Sequence, residues 1–195
     1  MANSVTKVLV PLAIIIALVV GGLSFVKSQT ASRKSDGTST SADSGERVEL
    51  AVGKELPEFK LTAFGGATKS VDALEAKVVL LNFWATWCEA CMVEMPSIIK
   101  LREAYKGKGF EVIAVNVDQN PEAVLPKVIR KMGFTFPVYL DKDQALSEMF
   151  SIEAIPLTIL LDMKNKRRKV LMLESGEQDW NGAAFRATLE KWLAG

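Results

Sequence analysis

Histidine is absent from this 195-residue chain, and cysteine occurs only twice, both times in the tetrapeptide Cys88-Glu89-Ala90-Cys91. Without histidine the usual Ser/His and Cys/His arrangements for nucleophilic catalysis are unavailable. A structural zinc site wants four Cys or His ligands, and two are too few. Haem attachment through Cys-x-x-Cys-His fails as well, because Met92 stands where the histidine would have to be. Neither a metal nor another cofactor is therefore expected. A charge excess is lacking too: residues 47–195 hold 20 Lys+Arg against 20 Asp+Glu, a net charge of zero. That gives no electrostatic reason to expect nucleic acid as a partner. The one basic run, Lys164, Lys166, Arg167, Arg168 and Lys169, reads as a solvated turn and the strand after it.

What is present divides the chain in three. Val8–Val26 is an uncharged, almost wholly apolar run of 19 residues, and a helix needs about 20 such residues to cross a bilayer. A cleaved signal peptide usually has a shorter apolar region, about 7–15 residues, before a small-x-small site. Val20-Gly21-Gly22 is a poor site of that kind, and no cysteine follows the run to carry a lipid. Residues 1–27 are thus expected to be an uncleaved single-pass anchor. Lys7 precedes the run, and Lys27, Arg33 and Lys34 follow it, so the positive-inside rule does not decide its orientation. Residues 28–46, rich in Ser, Thr, Gly and Asp, read as a flexible tether. Residues 47–195 are left as one domain, large enough to bury a core without structural disulfides or metal.

Within that domain, strands alternate with helices. Pro57–Ala63 reads as a strand, Gly65-Gly66 as a turn, and 70–76 as a short helical connection. Val78–Trp84 (VVLLNFW) and 110–117 (FEVIAVNV) are continuous apolar runs, as expected of strands buried on both faces. Between them Cys91, Met95, Ile98, Leu101 and Tyr105 recur at helical spacing, and Gly107 and Gly109 close the helix. Asn120-Pro121 starts a further helix that Gly133 ends, with Pro126 expected to kink or break it. Residues 136–140 read as extended and 144–150 as a short helix. Leu157–Asp162 and 169–173 form a hairpin. Asp179 is expected to cap a last helix carrying Trp180, Phe185, Leu189 and Trp192 to the core. The pattern predicts an α/β fold whose central strands are parallel and whose late hairpin is antiparallel.

A Cys-x-x-Cys where a strand runs into a helix is a chemical device. The first sulfur meets the helix's unpaired N–H groups and dipole, which stabilise a thiolate. The thiolate is the nucleophile of disulfide exchange, and the second sulfur, one turn on, can resolve a mixed disulfide from within the molecule. A purely structural role is the weaker reading, since so short a loop constrains the unfolded chain little. Cys88 is accordingly the expected attacking sulfur and Cys91 the resolving one.

The segment Asn82-Phe83-Trp84-Ala85-Thr86-Trp87-Cys88-Glu89-Ala90-Cys91 resembles the active-site strand and loop of the thioredoxin superfamily. It is most similar to the membrane-anchored, extracytoplasmic TlpA-, ResA- and CcmG-like branch, and the resemblance extends over roughly residues 53–194. It implies a central mixed sheet flanked by helices, with residues 110–138 supplying the branch's extra strand–helix insertion. Ile155-Pro156-Leu157-Thr158 resembles the loop in which the family sets a cis-proline against the disulfide, which marks Pro156 as a site residue and Trp87 and Ile155 as substrate contacts. Thioredoxins proper carry a buried Asp where this chain has Asn82. The ResA-like members have instead a Glu three residues after the second Cys, and Glu94 matches it. Pro96 matches the proline of the active-site helix, whereas the central pair Glu89-Ala90 departs from the Gly-Pro, Pro-His and Glu-Pro pairs of better-known members.

The activity so implied is dithiol–disulfide exchange with protein thiols and disulfides at a bacterial cytoplasmic membrane, on the extracytoplasmic (periplasmic) side. Glu89, a negative charge beside the nascent thiolate, favours a reductant. The branch's usual task implies apocytochrome c as a partner and a membrane thiol transporter as electron donor. Two other classes compete. One is a thiol peroxidase of the peroxiredoxin or glutathione peroxidase type, which would consume peroxide; the peroxiredoxin pattern wants Pro-x-x-x-Thr-x-x-Cys, and here Thr86 is two before Cys88 with no such proline. A non-catalytic redox-sensing or chaperone module working through the surface around Trp87 and Pro156 would survive replacement of both cysteines by serine.

Overall fold

Among the described residues, seven strands and four α-helices follow one another in the order β1 (Lys60–Ala63), β2 (Thr68–Ser70), β3 (Val78–Trp84), α1 (Glu89–Tyr105), β4 (Phe110–Asn116), α2 (Pro121–Met132), β5 (Val138–Leu140), α3 (Ala145–Met149), β6 (Leu157–Asp162), β7 (Lys169–Ser175) and α4 (Ala183–Ala194). This is a computed structural model, and it describes residues 47–195. The predicted anchor and tether lie outside the described residues, among which no helix is long and apolar enough to cross a membrane.

One mixed sheet runs in the order β2-β1-β5-β4-β3-β6-β7. The pairs β3–β4 and β4–β5 are parallel; β6 and β7 close the other side as an antiparallel hairpin. All seven residues of β3 are buried, because alternate side chains of a central strand feed two separate cores. Val78, Leu80 and Trp84 pack with α1 and with Leu125 and Leu189. Val79, Leu81 and Phe83 pack on the opposite face with Phe59, Val71, Leu146 and Phe150. By the same alternation Asn82 shares the face of Leu80 and Trp84, towards α1, and places a polar amide inside the first core. Arg168 fastens the sheet's edge to the preceding segment, donating to both Asp72 oxygens (2.6 and 2.7 Å) and to the Leu56 carbonyl (2.9 Å).

Several elements depart from expectation. The first strand begins at Lys60, and only Glu55, through an isolated bridge to Lys169, extends the pairing before it. Thr68–Ser70 is a strand, so the helical connection expected over 70–76 loses Ser70 to it and shrinks to a single 3₁₀ turn, Val71–Ala73, capped by the Ser70 hydroxyl. Pro126 neither breaks nor ends α2, which continues to Met132. A proline there forfeits only the bond to the Glu122 carbonyl, and the buried Leu125 beside it keeps the helix on the core. Gly133, with φ of 70°, then ends it in the left-handed conformation.

The last helix starts three residues later than Asp179 would place it, with Gly182 at its cap and no side-chain cap bond. Asp179 instead turns the chain ahead of the helix, its Oδ1 accepting from the Asn181 N–H (3.2 Å). A Cβ on residue 182 would lie 3.0–3.1 Å from Asp179 Oδ2 and carbonyl O, so the close approach calls for glycine. Trp180 therefore belongs to the loop before α4, yet it is fully buried.

Candidate functional site

The active loop follows from how β3 ends. The Trp84 carbonyl still accepts from the Val117 N–H (3.0 Å), after which Ala85 turns the chain and accepts from the Cys88 N–H (3.3 Å). Cys88 is the N-cap of α1, in extended conformation, and its Sγ accepts from the Cys91 N–H at 3.2 Å. The helix thus offers an unpaired N–H to this sulfur, as the sequence predicts. Cys88 and Cys91 are joined as a disulfide with Cα atoms 5.3 Å apart. The two sulfurs are not equivalent. Cys88 keeps 8% of its surface exposed, and Cys91, a turn inside on the apolar stripe, keeps none.

The other predicted residues gather round this pair. The Ile155–Pro156 peptide is cis, and the Ile155 carbonyl oxygen lies 3.8 Å from Cys88 Sγ. Pro156 is buried and Ile155 half-buried. Trp87 is 70% exposed, and with Ile155, Val117, Ile152 and Glu153 it lines a cleft of about 440 Å³ beside the disulfide. Pro96 lies inside α1, which continues without interruption to Tyr105.

Glu94 is buried at 2% exposure, one turn after Cys91 on the same helix face. Its Oε1 accepts from Asn82 Nδ2 (2.8 Å), which also donates to Thr158 Oγ1 (2.9 Å). Its Oε2 accepts from the Trp180 indole (2.9 Å) and the Gln178 N–H (3.3 Å). Burial raises the carboxyl above the usual glutamate range, the hydrogen bonds from Trp180, Asn82 and Gln178 work against that rise, and the nearby Glu177 charge adds to it. Asn82 Oδ1 is buried without a partner. An amide can donate to an ionised carboxylate or, turned over, accept from a protonated one, so Asn82 can serve Glu94 in either state.

Three features were missed at the sequence level. Asp118, 5% exposed, holds the active loop: Thr86 donates to it through both N–H and Oγ1 (3.0 Å each), and Asn116 Nδ2 donates at 2.7 Å. Thr158 pairs directly across from Asn82 in the β3–β6 register. Trp180, assigned to the core, is a ligand of Glu94. A polar residue just past a buried strand was a usable signal for Asp118; nothing local marked Trp180, 86 residues from its partner.

Comparisons with known proteins agree with this geometry. The Redoxin family matches residues 51–187. The thiol-disulfide oxidoreductase ResA of Geobacillus kaustophilus is 33% identical over 126 residues, 65% of this chain and 72% of its own. That of Bacillus subtilis is 34% identical over 137 residues, 69% and 76% of the two chains. Among solved structures, the thioredoxin domain of a thiol-disulfide oxidoreductase from Bacteroides vulgatus superposes with a TM-score of 0.62 at 28% identity, covering 74% of this chain and 99% of that one. With a redox-active pair capping a helix beside a cis-proline in a thioredoxin-like sheet, the chain belongs to the Redoxin family and is a thiol–disulfide oxidoreductase of the TlpA/ResA/CcmG-like branch.

Proposed function

We propose that this oxidoreductase reduces protein disulfides on the extracytoplasmic side of a bacterial membrane, anchored by residues 8–26 and reaching its partners through the 28–46 tether. The observation that carries the assignment of roles is the unequal exposure of the two sulfurs. In the reduced enzyme Cys88, at the helix start, is the thiolate. It attacks one sulfur of a substrate disulfide; a Cys88–substrate bond forms, and the other substrate sulfur leaves with the electron pair and takes up a proton. Glu94 accepts the Cys91 proton, Cys91 attacks Cys88 Sγ, and the second substrate sulfur leaves. The substrate gains two electrons and two protons, and the dithiol becomes the disulfide present here. A membrane thiol donor would return it to the reduced form.

Trp87 and Ile155 supply the apolar surface for a substrate segment, and the Ile155 carbonyl, 3.8 Å from Cys88 Sγ, lies beside the attacking sulfur. Glu89, exposed in the first turn of α1, places negative charge beside the thiolate and so disfavours the reduced form, which favours a donor of electrons. Apocytochrome c, whose paired cysteines must be reduced before haem attachment, is the substrate class the branch suggests.

The test is trapping. Cys91→Ser should accumulate a mixed disulfide with substrate through Cys88; trapping by Cys88→Ser instead would reverse the assignment. A thiol reagent that cannot cross membranes should label Cys88 in reduced intact cells, and failure to label would place the domain on the other side.

A further inference from the structure

Glu94 is held from two sides, and only one of them is part of the sheet. On the inner side Oε1 meets Asn82 on β3 and, through it, Thr158 on β6. On the outer side Oε2 is gripped by the loop between β7 and α4, through the Trp180 indole and the Gln178 N–H. That loop is itself tied to α1 by Ser97, whose Oγ donates to the Glu94 carbonyl (2.7 Å) and accepts from the Trp180 N–H (3.1 Å). The ring of Phe185 packs edge-to-face on the indole, centroids 4.9 Å apart, and takes no part in the carboxylate's hydrogen bonds.

Where the loop and α1 meet, Glu94, Val93, Ser97, Lys100, Glu177 and Asn181 are among the residues lining a cleft of about 550 Å³. It shares no residue with the cleft of Trp87 and Ile155. Resting on the proton-relay reading of Glu94 given above, we propose that Trp180 is a positioning residue for the exchange reaction: its indole N–H fixes Oε2 on the cleft side of the carboxyl while Oε1 stays on the Asn82 side, so that the proton Glu94 takes from Cys91 passes to water through a cleft that a docked substrate leaves open.

The chemistry of the partners supports this. An indole N–H can only donate, so it stabilises the ionised carboxylate and offers nothing to the protonated acid on that oxygen. A backbone or side-chain carbonyl in its place would do the reverse. Lys100 from α1 and Glu177 and Asp179 from the loop line the same cleft as Glu94, the neutral Asn82 of β3 donates to it and to Thr158 of β6, and Cys91, a thiol once the pair is reduced, lies one turn back on α1. The Glu177 charge opposes ionisation, whereas the indole, ahead of Asn82 and the Gln178 N–H, works against the rise that burial imposes.

The experiment is the pH–rate profile for reduction of oxidised glutathione by the pre-reduced full-length chain in detergent. Wild type, Glu94→Gln, Trp180→Phe and Phe185→Leu are compared. The inflection belonging to Glu94 is the one that Glu94→Gln abolishes. Trp180→Phe keeps an aromatic ring and deletes the N–H, and should move that inflection to higher pH by about one unit, a tenfold change in the proton equilibrium. Phe185→Leu, which disturbs the packing of Trp180 and keeps its N–H, should leave the inflection in place. If Trp180→Phe fails to fold, benzothienylalanine at position 180, with sulfur replacing the N–H in the same ring outline, should give the same shift. An unmoved inflection in either N–H-deleting variant, or an equal shift with Phe185→Leu, overturns the role of Trp180. If Glu94→Gln itself changes nothing, the relay reading fails instead.

Discussion

Truncating Asp118 to alanine should weaken both the fold and the active loop, by an amount the hydrogen bonds allow to be worked out. Its carboxylate accepts from Thr86 N–H, Thr86 Oγ1 and Asn116 Nδ2. After truncation the half-buried Thr86 hydroxyl can turn to water, but Asn116, 1% exposed, cannot reach it, and the Thr86 N–H is only partly able to. A buried donor left unsatisfied costs about 1–3 kcal/mol. One full penalty and part of a second give roughly 2–4 kcal/mol, a large share of the 5–15 kcal/mol typical of a domain. For a chain of this size that lowers the melting temperature by roughly 5–15 °C. Thr86→Val removes only the hydroxyl bond and should cost about 1 kcal/mol or less. Urea denaturation of the oxidised, detergent-solubilised chain, followed by tryptophan fluorescence, measures both. An Asp118→Ala cost under 1 kcal/mol, or equal costs for the two variants, would refute the claim that this carboxylate anchors the loop.

Further outcomes concern the site itself. Burial raises the Glu94 carboxyl, so its contribution to stability is complete below the unfolded-state value and fades as pH rises through the folded-state value; Glu94→Gln should therefore be at least as stable as wild type at pH 8, with wild type gaining relative to it towards pH 4. Melts at the two pH values decide, and the opposite trend would contradict the sign. Asn82→Asp places a second carboxyl about 2.8 Å from the first; the pair should share one proton, and the variant should lose roughly 2–4 kcal/mol at pH 8, less at pH 5. Trp87→Ala, at an exposed position, should leave stability within about 0.5 kcal/mol while lowering kcat/KM for a protein disulfide by about tenfold. Equal losses against oxidised glutathione would mean that Trp87 is not a protein-substrate contact.

How far the sequence spoke for the structure varied with the range of the interactions involved. The runs in β3 and β4 were legible because a strand buried on both faces has no polar alternation to confuse with anything else, and the α1 stripe because five apolar positions keep helical spacing. Thr68–Ser70 was invisible: three largely exposed residues become a strand only because β1 lies beside them. The start of α4 was misplaced because Asp179 is a good cap in isolation, yet its side chain is spent on the Asn181 turn and the close backbone approach selects Gly182. At the site, Cys88, Cys91, Pro156 and Glu94 could be picked out from a short motif and its resemblance. Of the group around Glu94 only Asn82 was marked, by the same resemblance; Trp180, which binds the carboxylate, and Thr158, which binds Asn82, could not be, since they converge on it from separate elements. Such contacts between distant segments leave no periodic or compositional trace.

The central claim, that Cys88 and Cys91 form a dithiol couple working as a reductant, is tested most directly by the reduction potential of the pair. Equilibration of the full-length chain with glutathione or dithiothreitol redox buffers, read by alkylation of the free thiols, gives the number. A negative neighbour at Glu89 and no histidine between the cysteines should leave the potential at or below about −200 mV, in the range of disulfide reductants. A value near −120 mV, that of the strong oxidants, would contradict the account, and a pair that stays oxidised at every accessible potential would make the disulfide structural.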